Sequence, residues 1–262
     1  MKFLAVIGNP ICHSKSPRMH NNAIKSLQLN GVYTRYKLEN EEKLKNDFLA
    51  LGFDGANITL PFKQQALKIA DIKDELALNI GSANTLLLKQ GKIYAYNTDA
   101  LGFLKAIEEF QNVQKVLILG AGGTALALAY ALQKNDKEVC IANRSEERFV
   151  NFKNFHTMLY ENLQNYNFDL IINTTSAGLN DEQLPCSQKI LDKITHTAHY
   201  AFEVIYGKET AFLQFCKQKN LRCKNGLEML LWQGVFAFEL FFDIKDEKGE
   251  IKKAMSQALE LK

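Results

Sequence analysis

A lysine occupies an electrostatically unfavourable position in the segment NITLPFK, residues 57–63. If Pro61 takes the first position of a helix that continues as FKQQALKIA, Lys63 falls in the first turn of that helix. The free N–H groups there carry a partial positive charge, which disfavours a cation. A solvated helix lysine is the ordinary explanation, whereas a lysine held beside a reacting oxygen could donate a proton to it.

A second stretch suited to chemistry is the glycine-rich turn LILGAGGTA, which separates an apolar strand from a long helix. Gly120, Gly122 and Ala125 match the G-x-G-x-x-[GA] pattern of dinucleotide binding. Gly120 permits a tight turn, Gly122 lets a pyrophosphate approach the backbone, and Ala125 allows close packing of helix on strand. Because free N–H groups at the helix start can hold phosphates, we predict a dinucleotide site at Gly120, Ala121, Gly122 and Gly123.

The end of the next strand, VCIANRSEER, indicates which dinucleotide binds. NAD enzymes commonly place an acidic residue there to bind the ribose hydroxyls. This chain instead has Asn143 and Arg144, with Ser145 and Arg148 close behind, and these residues suit a 2′-phosphate. A helix N-cap at Ser145 followed by solvated charges is the alternative, and it stays open for Arg148. We therefore predict NADP as the cofactor.

The segment GNPICHSKSPRMHN carries hydroxyl and imidazole groups with more than one explanation. Ser16 precedes Pro17 and is typical of a helix N-cap. Ser14 has no such role, so its hydroxyl belongs either to a turn or to a site that binds a carboxylate. His13 and His20 lack an evident third ligand, and no metal site is predicted.

Three further polar residues are equally ambiguous. Asp99 or its neighbour Thr98 could simply cap the helix that begins in YNTDALGFLKAI. Asn57 and Asn84 lie at predicted strand ends, where amides either satisfy turns or line a cleft. The local sequence does not separate these alternatives.

The elements that must position these residues alternate between short apolar strands and periodic helices, which is typical of an α/β protein. One α/β unit contains a strand at KFLAVIG, a helix over 16–27, a strand at VYTRYKL, a helix near LKNDFLALGF, a strand at GANIT, the helix opened by Pro61, and a hairpin TLLLKQGKIYAYN. The hairpin is predicted to turn at Gln90 and Gly91.

The pattern restarts after a helix over 99–110, with the strand and helix of KVLILGAGGTALALAYALQ. Strands follow at EVCIAN, DLIINTT and HYAFEVIY, as in an open parallel sheet. Two closing helices, 226–242 and 249–261, lack partners of their own, so one or both are expected to cross back onto the first unit.

The composition excludes several classes of protein. Of 262 residues, 47% are hydrophobic and 23% charged, which is typical of an ordinary globular protein without membrane-spanning segments. The formal charge of +3 has no dense basic run, so no nucleic-acid partner is predicted. Five scattered cysteines form no paired motif, which favours reduced thiols and the cytoplasm.

The joint order of these segments resembles the shikimate dehydrogenase family of the aromatic amino-acid pathway. The matching stretches are GNPICHSKSPRMHN, NITLPFK, GSANT, NTDALG, the GAGG turn, ANRS, NTTSAGL, EVIYGKET and NGLEMLLWQ. The resemblance implies an α/β fold of two domains. Residues 1–98 would form an α/β substrate domain, 99–225 a Rossmann-type doubly wound NADP-binding domain, and 226–262 helices that return to the first domain.

The resemblance also implies an activity, the reversible reduction of 3-dehydroshikimate to shikimate by NADPH in chorismate biosynthesis. Lys63 and Asp99 would be the catalytic pair, while Gly226 and Met229 would lie at the cofactor. Met229 is also explained as a core residue of an apolar helix. The residues at the substrate positions of the family would bind the carboxylate and the ring hydroxyls: Ser14, Ser16, Asn57, Thr59, Asn84, Tyr206 and Gln233.

Three departures from the family pattern stand out. Glu203 replaces a common aspartate, Gly207 follows Tyr206 where proline is frequent, and the turn after Gly123 lacks a frequent arginine. Two alternatives remain: a quinate/shikimate dehydrogenase that prefers NAD, and a non-catalytic dinucleotide-binding regulator of the same fold. The small-molecule substrate is the expected partner, and the protein is expected to be a monomer or a homodimer.

Overall fold

A computed structural model of the chain describes residues 1–163 and 167–260. The chain divides into two units, one made of Met1–Gly102 with Leu230–Lys262 and the other of Phe103–Met229. The boundaries expected from the sequence, after residues 98 and 225, each lie four residues earlier. Each unit contains a six-stranded sheet flanked by helices.

Strands and helices alternate along most of the described chain. In chain order the strands are β1 (Lys2–Gly8), β2 (Gly31–Lys37), β3 (Gly55–Ile58), β4 (Ile72–Lys73), β5 (Thr85–Lys89), β6 (Lys92–Tyr96), β7 (Lys115–Leu119), β8 (Glu138–Asn143), β9 (His156–Leu159), β10 (Leu170–Asn173), β11 (Tyr200–Glu203) and β12 (Arg222–Lys224). The α-helices are α1 (Ser16–Ser26), α2 (Leu44–Ala50), α3 (Lys63–Ile69), α4 (Glu75–Ile80), α5 (Thr98–Ala106), α6 (Gly123–Gln133), α7 (Gln188–Ile194), α8 (Ala211–Gln218), α9 (Leu227–Phe242) and α10 (Glu250–Glu260).

The sheet of the first unit is mixed, with the order β2-β1-β3-β5-β6-β4. Strand β1 pairs in parallel with β2 and β3, whereas β5 pairs antiparallel with β3 and β6. Alternate residues of β1 face opposite cores: Leu4 and Val6 pack with α1, α9 and α10, and Ala5 and Ile7 pack with α2, α3 and α4. Helices cover both faces, as the sequence predicts for the closing helices.

The sheet of the second unit is entirely parallel, with the order β9-β8-β7-β10-β11-β12. Numbered within the unit this order is 3-2-1-4-5-6, the doubly wound arrangement. Val116 and Ile118 of β7 pack against α5 and α6, while Leu117 and Leu119 pack against α7 and α8. The predicted α/β fold with two domains is confirmed.

The hairpin and the helix after β3 test the turn predictions. Gln90 and Gly91 join β5 to β6 with φ values of 52° and 73°, so the predicted turn is confirmed. The prediction that Pro61 opens a helix is wrong. The Leu60–Pro61 bond is cis, Phe62 N–H donates to the Thr59 carbonyl at 3.0 Å, and α3 begins only at Lys63. Lys63 still lies at the start of a helix, but a turn replaces the predicted first residues.

Candidate active site

Lys63 and Asp99 form an ion pair, with Lys63 Nζ 2.7 Å from Asp99 Oδ2. Lys63 begins α3 and Asp99 is the second residue of α5. Helix α5 does begin at Thr98, but its side-chain cap is neither Thr98 nor Asp99, because Asn97 Oδ1 accepts the hydrogen bond from Ala100 N–H at 3.3 Å. The carboxylate of Asp99 is therefore available to hold the ammonium.

A buried network of amides and hydroxyls joins the ends of three segments in the first unit. Asn84 Oδ1 accepts from Thr98 N–H at 2.7 Å, and Asn84 Nδ2 donates to Thr98 Oγ1 at 3.0 Å. Asn57 Nδ2 donates to Thr85 Oγ1 at 3.0 Å, while Asn57 Oδ1 accepts from Tyr33 O–H at 2.7 Å. Thr85 also contacts Asn84 Oδ1 at 3.1 Å. Both asparagines thus have fixed amide orientations.

Ser14 and Ser16 are close together, with their Oγ atoms 3.3 Å apart. The prediction that the Ser16 side chain caps α1 is wrong, because the helix begins at Ser16 itself and no side-chain cap hydrogen bond forms. Thr59 lies at the end of β3, where its N–H donates to the Ile7 carbonyl at 2.9 Å. Its methyl group would be 2.3 Å from a Cβ added at Gly8, so a larger residue at position 8 would force the Thr59 side chain to move.

The remaining two predicted substrate residues belong to different units. Gln233 is buried on α9 in the first unit, and its Nε2 donates to the Leu230 carbonyl at 2.8 Å. Tyr206 is half-buried in the second unit, where burial raises the pKa of its phenol. Their participation in substrate binding stays a prediction.

A cavity of about 500 Å³ lies in the second unit at the carboxyl ends of its parallel strands. Ligands of doubly wound sheets bind at this edge, where the strand order reverses between β7 and β10. The cavity is lined by seven predicted cofactor residues, Gly120, Ala121, Gly122, Asn143, Arg144, Ser145 and Arg148. The rest of the lining was not predicted from the sequence and consists of Tyr160, Thr174, Thr175, Ser176, Ala177, Asp181, Gln183, Leu184 and Pro185.

The glycine turn has a shape that fits a dinucleotide. Gly120 has φ +104°, and an added Cβ would lie 2.8 Å from Thr174 Oγ1, so only glycine suits this position. An added Cβ on Gly122 would meet no atom within 4 Å. Gly122 therefore leaves open the space that a pyrophosphate needs. Gly123 is the first residue of α6 and is not among the described residues that line the cavity.

The charges in the cavity fit a phosphate. Within residues 1–163 and 167–260, neither Arg144 nor Arg148 forms an ion pair with a carboxylate. The carboxylate of Asp181 accepts hydrogen bonds from Gly178 N–H at 2.8 Å and Gln183 N–H at 3.0 Å, which lower its pKa. Oδ1 of Asp181 is thus held by its own loop, and the two guanidinium groups, which pair with no carboxylate among the described residues, are available to an anion.

Asn143 and Ser145 shape the edge of the cavity beside Arg144. Asn143 Nδ2 donates to the Ser145 carbonyl at 3.0 Å. Ser145 does stand at the N-cap position of the short 3₁₀ turn that follows, as the alternative predicted, but its side chain accepts no cap hydrogen bond. Its hydroxyl therefore has no helix-capping role.

Gly226 and Met229 have structural explanations. An added Cβ on Gly226 would lie 2.1 Å from the Val204 carbonyl oxygen, so the backbone requires glycine. Met229 is 9% exposed and packs in the core of the second unit. Neither lines the cavity described above, and their role at the cofactor stays a prediction.

Comparisons with known proteins identify the family. Three family models match: the shikimate dehydrogenase substrate binding domain over residues 6–86, shikimate / quinate 5-dehydrogenase over 104–180, and the shikimate 5'-dehydrogenase C-terminal domain over 226–259. A shikimate dehydrogenase (NADP(+)) of Helicobacter hepaticus is 42% identical over 95% of this chain and 94% of that protein. The chain belongs to the shikimate dehydrogenase family. The resemblance predicted from the sequence is confirmed.

More distant family members extend the comparison. A shikimate dehydrogenase (NADP(+)) of Methanococcus aeolicus is 36% identical over 98% of each chain. The crystal structure of shikimate 5-dehydrogenase from Thermus thermophilus in complex with NADP(H) and shikimate has a TM-score of 0.86 and 33% identity, covering 98% of this chain and 100% of that one. The crystal structure of shikimate dehydrogenase from Aquifex aeolicus has a TM-score of 0.88 and 33% identity, covering 100% of this chain and 98% of that one.

The described residues contain neither a membrane-spanning helix nor a metal-binding cluster. No helix there combines the length and the apolar character needed to cross a bilayer. No cluster of three or more His, Cys, Asp or Glu side chains suited to a metal ion occurs in the same residues.

Proposed function

We propose that this enzyme catalyses the reversible NADPH-dependent reduction of 3-dehydroshikimate to shikimate. Membership of the shikimate dehydrogenase family supports this assignment. The observation that carries it is the Lys63–Asp99 pair, with Nζ and Oδ2 2.7 Å apart. Reduction of a carbonyl needs a proton donor beside the oxygen that gains negative charge, and this pair supplies one.

Lys63 is the proposed acid and base. In the reducing direction its ammonium donates a proton to the carbonyl oxygen as negative charge develops there, and in the oxidising direction its amine accepts the hydroxyl proton. Asp99 holds Nζ in place through the 2.7 Å ion pair at the start of α3.

The first unit supplies most of the proposed substrate contacts. Ser14, Ser16 and Thr59 are proposed to bind the carboxylate, and Tyr206 is a further proposed substrate residue. The ring hydroxyls are proposed to bind Asn57, Asn84, Asp99 and Gln233. Among the described residues Asn84 Nδ2 donates only to Thr98, which leaves its second N–H for a hydroxyl.

The cavity of the second unit is the proposed NADP site. NADPH, when bound, supplies the hydride. Gly120, Ala121, Gly122 and Gly123 would hold the pyrophosphate through backbone N–H groups, and Arg144 with Arg148 would hold the 2′-phosphate. The open space over Gly122 and the two guanidinium groups without acidic partners in the described chain support this assignment.

We infer a place in chorismate biosynthesis, and so in the synthesis of aromatic amino acids. The cytoplasm is the proposed compartment because all five cysteines are free thiols, as is usual in a reducing environment. A monomer or a homodimer is the proposed assembly.

One assay tests the proposal. The purified protein is mixed with shikimate or quinate and with NADP or NAD, and the appearance of reduced nicotinamide is followed by absorbance. We expect the fastest turnover with shikimate and NADP. Faster turnover with quinate and NAD favours a quinate/shikimate dehydrogenase, and cofactor binding without turnover of any pair favours a non-catalytic regulator.

A further inference from the structure

Glu203 is a fully buried carboxylate that the reaction does not use. It ends β11, its exposure is 0%, and both of its oxygens accept hydrogen bonds. Oε2 accepts from Asn173 Nδ2 at 2.8 Å and from Thr210 Oγ1 at 3.0 Å, while Oε1 accepts from Ile205 N–H at 3.1 Å. Burial raises the pKa of Glu203 to about 7, although these hydrogen bonds lower it. A buried acid with hydrogen bonds to both oxygens can fix the arrangement of the groups around it.

Each oxygen of Glu203 faces a group that can only donate. Asn173 Nδ2 and the Ile205 N–H have no acceptor capacity, so both positions require an acceptor on residue 203. A carboxylate provides two acceptors, whereas the amide of a glutamine provides one acceptor and one donor. Whichever way a glutamine turns, one pair of donors would face each other.

The orientation of the Asn173 amide links Glu203 to Thr175, a residue of the cavity lining. Asn173 Oδ1 accepts from Thr175 N–H at 3.0 Å and from Thr175 Oγ1 at 2.8 Å. Because a backbone N–H can only donate, Asn173 must turn its oxygen toward Thr175 and its Nδ2 toward Glu203. An amide flip that relieved a clash at residue 203 would create a new one at Thr175.

Thr175 and its neighbours connect this network to the glycine turn. Thr175 Oγ1 accepts from Ala177 N–H at 3.2 Å, and Thr174 Oγ1 donates to the Leu119 carbonyl at 2.8 Å. An added Cβ on Gly120 would lie 3.0 Å from Thr175 Cγ2, so this segment packs directly on the turn. Residues 174–177 line the same cavity as Gly120.

We propose that Glu203 is a positioning residue for the dinucleotide site, which acts through Asn173 and Thr175 to hold residues 174–177 against the glycine turn. This inference rests on the proposed NADP site and adds a buried residue that is not part of the described cavity lining. What matters at position 203 is the presence of two acceptors rather than the shape of the side chain.

Two substitutions distinguish a need for two acceptors at position 203 from a need for a particular side-chain shape. Glu203→Gln keeps the shape and removes one acceptor, while Glu203→Asp keeps both acceptors and shortens the side chain. We expect Glu203→Gln to weaken NADPH binding by about tenfold, the effect of one unsatisfied buried donor, and Glu203→Asp to stay within about threefold of the wild type. If shape alone mattered, the order of the two variants would be reversed.

Two measurements report on the variants at about pH 8.5, where Glu203 is ionised in the wild type. NADPH fluorescence gives the dissociation constant, and hydrogen exchange gives the protection of residues 174–178. We expect faster exchange at Thr175 and Ala177 in Glu203→Gln and an unchanged KM for shikimate. Thr195→Val, which removes another buried hydroxyl of this unit, is the matched control and should leave both readouts unchanged.

Several results would overturn the inference. NADPH binding by Glu203→Gln as tight as in the wild type would do so, as would equal losses in Glu203→Gln and Glu203→Asp. If the wild type itself binds no NADPH, the proposed cofactor site fails, and hydrogen exchange still tests the link from Glu203 to residues 174–177. If Glu203→Gln does not fold, Thr175→Val should loosen the segment and Thr175→Ser restore it; no change in Thr175→Val refutes the link.

Discussion

Lys63 Nζ and Asp99 Oδ2 lie 2.7 Å apart, although 36 positions separate the two residues in the sequence. Their side chains are 26% and 18% exposed, so water screens the pair in part and its contribution to stability is small. We propose that the pair serves chemistry instead, by positioning an ammonium as the proton donor of the reaction.

Replacing Lys63 with alanine removes the proposed proton donor. We expect kcat for shikimate oxidation to fall by about 10² to 10⁴-fold, the range for loss of a general acid or base. NADPH binding should not change, because the cavity belongs to the other unit. Steady-state rates and a fluorescence titration check the two parts. Lys68→Ala, on the exposed face of the same helix, is the control and should retain full activity.

Replacing Asp99 with asparagine keeps the size of the side chain but removes the charge that holds Nζ. We expect a loss of kcat that does not multiply with the loss in Lys63→Ala, because residues that act as a unit are non-additive. The double variant should therefore be about as slow as Lys63→Ala alone. Losses that multiply would mean that the two residues act independently.

The local sequence predicted those features of the fold that depend on neighbouring residues. The hairpin turn at Gln90 and Gly91 is one such feature, because glycine at position 91 readily adopts the left-handed backbone that the turn needs. The start of α3 could not be predicted in this way. A proline at the first helical position and a proline inside a turn have the same local signature, and Pro61 proved to be in a turn.

The roles of the site residues were harder to predict, because each role depends on contacts with residues that are distant in the sequence. Asp99 as a helix cap and Asp99 as a partner of Lys63 are equally consistent with NTDALG, and only the cap formed by Asn97 decides between them. Residues 174–177 were missed as part of the cavity for the same reason. They follow β10, and only the pairing of β10 with β7 brings them to the glycine turn. The rule that ligands bind at the carboxyl ends of parallel strands could have found them.

Arg144→Ala tests the choice between the two dinucleotides. Arg144 forms no ion pair within the described chain, so its charge is available to a 2′-phosphate. We expect KM for NADP to rise by about 10 to 100-fold, as for loss of a charged hydrogen bond, with KM for NAD unchanged. Initial rates with each cofactor measure the ratio. An equal rise in KM for both cofactors would indicate that Arg144 contacts a part of the cofactor that NAD and NADP have in common.

Gly122→Ala separates a need for ligand space from a need for backbone conformation. Gly122 has φ −101°, and an added Cβ would meet no atom within 4 Å, so the thermal midpoint of the free protein should not change. The methyl group would stand where the pyrophosphate is expected, so NADPH affinity should fall by about tenfold or more. Differential scanning fluorimetry and a fluorescence titration measure the two quantities.

Gly226→Ala is the matched comparison, in which the added methyl group should affect stability through a backbone clash. Its added Cβ would lie 2.1 Å from the Val204 carbonyl oxygen, so the backbone must move and the thermal midpoint should drop by several degrees. A Gly226→Ala protein as stable as the wild type, or a Gly122→Ala protein that binds NADPH normally, would contradict the geometry on which these two expectations rest.

Two buried groups should give the free energy of unfolding opposite dependences on pH. The His20 ring is fully buried, with no hydrogen-bond partner for either nitrogen among the described residues, and burial lowers its pKa from 6.5 to about 3. Between those values the unfolded chain binds the proton and the folded chain does not, so this group makes stability rise with pH. Its contribution is complete above pH 6.5 and is lost as the pH falls toward 3.

Glu203 acts in the other direction, because burial raises its pKa from 4.5 to about 7. Between those values the folded chain binds the proton and the unfolded chain does not, so its contribution is present at low pH and is lost as the pH rises through 7. In the wild type the two slopes partly cancel between pH 4.5 and 6.5. Urea unfolding of His20→Phe should show a steeper fall of stability with rising pH, and Glu203→Gln a steeper rise. Parallel pH profiles for the wild type and both variants would show that neither group titrates in this window.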